Sequence, residues 1–156
     1  MAKELKPGDP APLFDLPTAG GGRVSLAGLK GKRVVLYFYP KDDTPGCTQE
    51  ALSFTENAKA FAAAKTVVIG LSRDSVAKHD KFAAKHGLTV ILASDEDGAT
   101  CEAYGVWGEK TLYGRKFMGI ERSTFLIDAR GRLVRIWRKV RVPGHVEDVL
   151  KEFKAD

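Results

Sequence analysis

The stretch Pro40-Lys41-Asp42-Asp43-Thr44-Pro45-Gly46-Cys47 places a thiol three residues after a threonine and seven after a proline. It lies between an apolar run, Val34-Val35-Leu36-Tyr37-Phe38-Tyr39, and a long alanine-rich segment. That order reads as strand, tight loop and helix start. In the first turn of a helix the backbone N–H groups have no partner within the helix and the dipole is positive, so an anionic sulfur gains hydrogen bonds that a neutral thiol uses poorly. Cys47 is thereby a candidate nucleophile. Taken alone, a cysteine is more often a small buried hydrophobe. The company of Pro40, Thr44 and Gly46 is what turns the reading toward chemistry.

The elements that must position this thiol follow from periodicity. Residues 48–64 carry Ala51, Leu52, Phe54, Ala58, Phe61 and Ala62 at helical spacing. Residues 66–72 read as a buried strand, 75–86 as a helix closed by Gly87, and 90–93 as a short strand before a turn into a helix through Tyr104. Strands over 123–127 and 133–140 are joined by Asp128-Ala129-Arg130-Gly131, a hairpin turn, and a last helix follows Pro143-Gly144. Near the start, Thr18-Ala19-Gly20-Gly21-Gly22 reads as the turn of an N-terminal hairpin; no Gly-Lys-Ser/Thr follows it, which argues against a phosphate loop. Strand–helix alternation ending in a hairpin implies an α/β protein with a mixed central sheet flanked by helices. No repeat or long linker divides the chain, so residues 1–156 are expected to form one domain.

Composition narrows the function. A chain that is 44% hydrophobic and 29% charged is an ordinary globular protein, and no stretch is long and apolar enough to span a bilayer. The first ten residues lack the apolar core of a signal peptide, so a cytoplasmic protein is expected. Cys47 and Cys101 are too few for a disulfide scaffold and form no Cys-x-x-Cys pair, and His79, His86 and His145 show no metal-ligand spacing. The net charge of +5 invites a nucleic-acid reading. However, Arg132, Arg135, Arg138 and Lys139 alternate with Leu133, Val134, Ile136 and Trp137, as on a half-solvated edge strand, and no nucleic-acid partner is expected.

The Pro-x-x-x-Thr-x-x-Cys motif resembles the signature of the peroxiredoxins, and 38–48 is similar to the bacterioferritin-comigratory (Q-type) subfamily. Ser94-Asp95-Glu96-Asp97, residues 104–110 and the stretch from Gly119 through Arg122 to Asp128 agree, so the resemblance covers most of the chain. It implies a thioredoxin-like fold and a thiol peroxidase, without cofactor or metal, that reduces hydrogen peroxide and organic hydroperoxides through a Cys47 sulfenic acid. Thioredoxin or another external thiol would then restore Cys47, in a monomeric chain. On this resemblance Cys47 attacks the O–O bond, Thr44 steadies the thiolate and orients the peroxide, Arg122 polarises the leaving oxygen, and Pro40 shelters the sulfur. The Gly46 and Cys47 N–H groups donate to the developing charge. Glu50 holds Arg122 in a carboxylate–guanidinium pair, or is simply an acidic residue in a first helical turn. Arg122 has its own plain alternative as a surface strand charge.

One departure bears on turnover. The positions where the subfamily carries a resolving cysteine are Leu52 and Ala83 here, so neither can close a disulfide with Cys47. Cys101 is expected to be packed on a helix near a turn, beyond disulfide reach of Cys47. A thioredoxin-like thiol–disulfide exchange enzyme would share the fold but needs a second thiol nearby. A non-catalytic redox sensor would keep Cys47 without fast turnover.

Overall fold

The computed structural model of the protein describes residues 4–154. Its nucleus is the apolar run noted above, which forms β3 (Arg33–Phe38) and is buried on both faces, as befits a central strand. β3 pairs in parallel with β4 (Thr66–Ser72), and β4 in parallel with β5 (Ile91–Ser94). On its other side β3 runs antiparallel to β8 (Ser123–Ile127), which runs antiparallel to β9 (Leu133–Trp137). Parallel neighbours need crossovers. α1 (Pro45–Glu56) and α2 (Ala58–Ala63) supply the first, and α3 (Val76–His86), capped by the Ser75 hydroxyl and closed by Gly87 at φ 62°, supplies the second. α4 (Ala99–Ala103) follows β5, and α5 (His145–Lys154) ends the described chain. The sheet order is β5-β4-β3-β8-β9. The expected N-terminal hairpin is formed by β1 (Asp15–Pro17) and β2 (Arg23–Ser25), with Gly20 and Gly21 turning the chain at positive φ.

The pleat of β3 divides the interior into two cores. Val34, Leu36 and Phe38 pack with Ile69, Leu71, Phe125, Tyr104 and Cys101. Val35, Tyr37 and Tyr39 face the other way, against Cys47 and Phe54 of α1, Phe61 of α2, Phe82 of α3 and Val149 of α5. The two cysteines therefore lie on opposite faces of the sheet, both as free thiols. In β4, Gly70 sits in register with Tyr37, and a Cβ there would come 2.6 Å from the Tyr37 ring. The missing side chain leaves room for that ring, which stacks on Phe54 at 4.6 Å between centroids.

Three features differ from the sequence expectation. The helix over 48–64 is broken at Asn57, whose side-chain amide donates to the Ser53 carbonyl at 2.8 Å. Local competition of this kind is invisible to apolar spacing. A second hairpin, β6 (Trp107–Leu112) with β7 (Arg115–Ile120), was not anticipated. Its two-residue turn is Tyr113-Gly114, both at positive φ, and tyrosine is a weak signal for a turn that usually carries Asn or Asp. Finally, β9 stops at Trp137, short of Val140. As expected, it is an edge strand, with the Arg135 guanidinium lying over the Trp137 ring.

Phe54 is fully buried between Tyr37 and Phe61, so Phe54→Ala leaves a cavity the rigid sheet cannot fill. The expected loss is about 3–5 kcal/mol of unfolding free energy by denaturant titration. A loss below about 1 kcal/mol would mean that α1 does not pack on β3 as described.

Candidate active site

The site begins where β3 runs out. After Phe38 the chain passes through Tyr39 and half-buried Pro40 into a loop, and α1 starts at Pro45, whose fixed φ and missing N–H suit a first helical position. Thr44 is the N-cap residue: its carbonyl accepts from the Thr48 N–H at 2.8 Å. Gly46 and Cys47 are the second and third residues of the helix, in the turn whose N–H groups have no partner within the helix. The Cys47 side chain is inside the protein, 1% exposed.

Arg122 reaches this sulfur from the start of β8. Its Nη2 donates to Cys47 Sγ at 3.3 Å, and its Nη1 donates to Glu50 Oε1 at 2.7 Å. Gly46 leaves the approach open, since a Cβ there would sit 3.3 Å from Nη2. Cys47 and Glu50 are three residues apart on one face of α1, so a single guanidinium fork spans both. Burial alone would pull the Arg122 guanidinium down, but Glu50 and Cys47 outweigh it and hold it above its ordinary value. For Glu50 the balance falls the other way: burial exceeds the pull of Arg122 and pushes the carboxyl up to about 7. Among the described residues its Oε2 has no hydrogen-bond partner, and neither has the buried Tyr37 hydroxyl. Burial, then the nearby Glu50, raises Tyr37 well above the usual phenol value.

Of the residues singled out in the sequence, Cys47, Arg122, Glu50 and Gly46 are brought together. Thr44 and Pro40 stand in the adjoining loop. The Thr44 hydroxyl donates to the Lys41 carbonyl at 2.9 Å, so its hydrogen is committed within the loop and its lone pairs remain free to accept. Cys101 stands apart in α4, fully buried, and burial followed by Asp95 pushes its thiol far up, away from reactivity.

Sequence reasoning missed the residues that hold the loop. Asp42 accepts from the Tyr39 hydroxyl at 2.5 Å and lies 2.6 Å from His79 Nδ1, while its backbone N–H donates to Asp74 at 2.8 Å. His79 Nε2 donates to the Ala93 carbonyl at 2.9 Å, which anchors the ring on its other side. Next door, Asp43 adopts φ 61° and is gripped by Lys85 and His86 at the end of α3. Those two partners, His86 first, hold its carboxyl below its ordinary value. The available signal was His79, three residues before Phe82 on the buried face of α3, a polar group that needs a partner.

Glu50 makes stability depend on pH with a definite sign. Its pKa is raised on folding, so its contribution is complete below about 4.5, its ordinary value, and is lost as pH climbs through about 7. A rise of that size corresponds to roughly 3 kcal/mol. Burial pushes His145 down to about 4 and so acts in the opposite direction, which makes a variant the right reference. Relative to Glu50→Gln, the parent is expected to lose roughly 3 kcal/mol of unfolding free energy between these two pH values, read by denaturant titration. A difference that stays flat with pH would show that Glu50 is not held in this buried state.

Known proteins share this arrangement of elements. The model of the AhpC/TSA family matches residues 7–136. Peroxiredoxin Bcp of Bacillus subtilis is 49% identical over 147 residues, covering 94% of each chain. Among solved structures, a mutant of Xylella fastidiosa PrxQ superposes with a TM-score of 0.93 at 43% identity, covering 99% of this chain and 98% of that one. A structure of Xanthomonas campestris bacterioferritin comigratory protein, concerned with alkyl peroxide reduction, gives a TM-score of 0.86 at 46% identity and covers 91% and 90%. With a thioredoxin-like fold and these relatives, the chain belongs to the AhpC/TSA family, among the Bcp or Q-type peroxiredoxins.

Proposed function

We propose that the chain reduces hydrogen peroxide and organic hydroperoxides, with Cys47 as the attacking thiolate. The observation that carries this reading is the Arg122 guanidinium 3.3 Å from Sγ, fixed on its other arm by Glu50. The sulfur attacks one peroxide oxygen, the O–O bond breaks, and the departing oxygen leaves as water or an alcohol once protonated. Cys47 becomes a sulfenic acid. Arg122 and the first-turn N–H groups meet the charge on the departing oxygen, which fixed donors stabilise without reorganising. Thr44 accepts from the hydroperoxide proton, and Pro40 limits water at the sulfur.

An external thiol, thioredoxin or another, completes the cycle in a single-domain, monomeric, cytoplasmic enzyme. Support for an external reductant comes from Leu52 and Ala83, which carry no sulfur, and from Cys101, which is separated from Cys47 by the sheet. The same separation weighs against a thiol–disulfide exchange enzyme built on this pair. No helix among the described residues is long and apolar enough to cross a membrane.

Cys47→Ser should abolish peroxide consumption, and Arg122→Ala should raise the barrier to oxidation by about 2.7–4 kcal/mol, as for a lost oxyanion donor. Stopped-flow oxidation rates decide, and an Arg122→Ala rate equal to the parent's removes that residue from the chemistry. After one equivalent of peroxide, mass spectrometry should find a sulfenic acid or mixed disulfide on Cys47 alone. A quantitative Cys47–Cys101 bond within one chain would overturn the assignment of an external reductant.

A further inference from the structure

Beside the loop that leads to Cys47 is a cleft of about 330 Å³ bounded by Lys41, Asp42, Asp43 and Asp74 and, along α3, by Lys78, Lys81, Phe82 and Lys85. Lys78, Lys81 and Lys85 recur at helical spacing on one face of α3, and Lys41 joins them from the loop. The carboxylates of the cleft are already committed. Asp42 is held by Tyr39 and His79, Asp74 by the Ser72 hydroxyl and the Asp42 N–H, and Asp43 by Lys85 and His86. Lys41, Lys78 and Lys81 have no carboxylate partner among the described residues, although like charges crowded on one wall call for one. Phe82, buried beneath them, forms part of the cleft's floor.

We propose that this cleft binds the carboxylates of a small anionic thiol, the reductant of the Cys47 sulfenic acid. The inference rests on the external-thiol reading above. Asp43 is four residues from Cys47, which bounds the separation of their backbones at about 14 Å, and the Thr44–Lys41 hydrogen bond folds the loop shorter than that. Lys85 grips Asp43 from the same wall, so a thiol anchored on the lysines by its carboxylates is concentrated beside the loop that carries Cys47. Its thiolate attacks the Cys47 sulfur, the S–O bond breaks, and the hydroxide leaves as water after taking a proton. A second thiol then attacks the mixed disulfide at the ligand's sulfur and frees Cys47. The two thiols end as a disulfide, and the two electrons they give up restore the cysteine.

The test compares the parent with Lys78→Ala/Lys81→Ala, two exposed positions outside the catalytic group. Protein oxidised with one equivalent of peroxide is mixed with mercaptosuccinate, a dicarboxylate thiol, or with neutral 2-mercaptoethanol, at equal thiolate concentration. The parent should favour mercaptosuccinate by about tenfold, and the double variant and high salt should erase the preference while leaving the neutral thiol's rate unchanged. Separately, succinate, which has no sulfur, should shift the amide resonances of α3 in the parent and not in the variant. Unmoved amides overturn the anion site whether or not Cys47 is a peroxidase. Succinate binding with equal rates for the two thiols, or a preference that survives in the variant, overturns the thiol assignment. Failure of Cys47 to oxidise at all is read before any thiol is added, and it removes the function above together with the thiol step.

Discussion

A guanidinium held between a sulfur and a carboxylate is the constraint around which this molecule is arranged. Arg122 gives one arm to Cys47 and the other to Glu50, and only a planar fork does both without choosing between them. The arrangement demands that α1 and the start of β8 keep a fixed separation. Sheet register supplies it: Phe38, the last residue of β3, lies opposite Ser123, so Arg122 arrives level with the point where β3 hands the chain to the loop. The charge remains on the arginine because its two neighbours favour it more than burial opposes it. Glu50, fully enclosed and with one oxygen unpartnered, carries the cost of that arrangement.

The loop between β3 and α1 is fixed by two aspartates whose partners are other than the thiol. Asp42 turns inward to Tyr39 and His79, and Asp43 turns outward to the end of α3. Successive residues thus tie the loop to the buried face and to the C-terminal end of one helix, α3, and the left-handed backbone at Asp43 is what allows their side chains to diverge. The polypeptide around Cys47 is therefore determined by α3 as much as by α1. Loops positioned in this way carry chemistry with the precision of the scaffold beneath them.

Much of this was legible in the sequence because it is written in local order. The apolar run of β3, the Ser75 cap, the Gly87 stop and the Asp128–Gly131 turn each act over a few residues, and each element appears where its signal stood. Cys47 was readable for the same reason, at a helix start behind Thr44 and Gly46, whereas the pairing of Glu50 with Arg122 came from the resemblance. Arg122 was reached by resemblance, since no local rule links a strand arginine to a cysteine far away in the chain. The His79–Asp42–Tyr39 group was not legible, because its members are brought together only when α3 packs on the sheet. The β6–β7 hairpin escaped for a different reason. It has little core to bury, so it lacks the apolar alternation by which half-buried strands announce themselves.

The absent side chain at Gly70 has a reach out of proportion to its size. Space left in β4 seats the Tyr37 ring, the ring stacks on Phe54, and Phe54 lies two helical turns from Cys47 along α1. A single methyl group at position 70 would be felt as a displacement of that ring, and through it of the helix that presents the sulfur. The thiol's position is thus gauged from within the sheet, by a neighbouring strand's missing side chain rather than by any residue of the site itself.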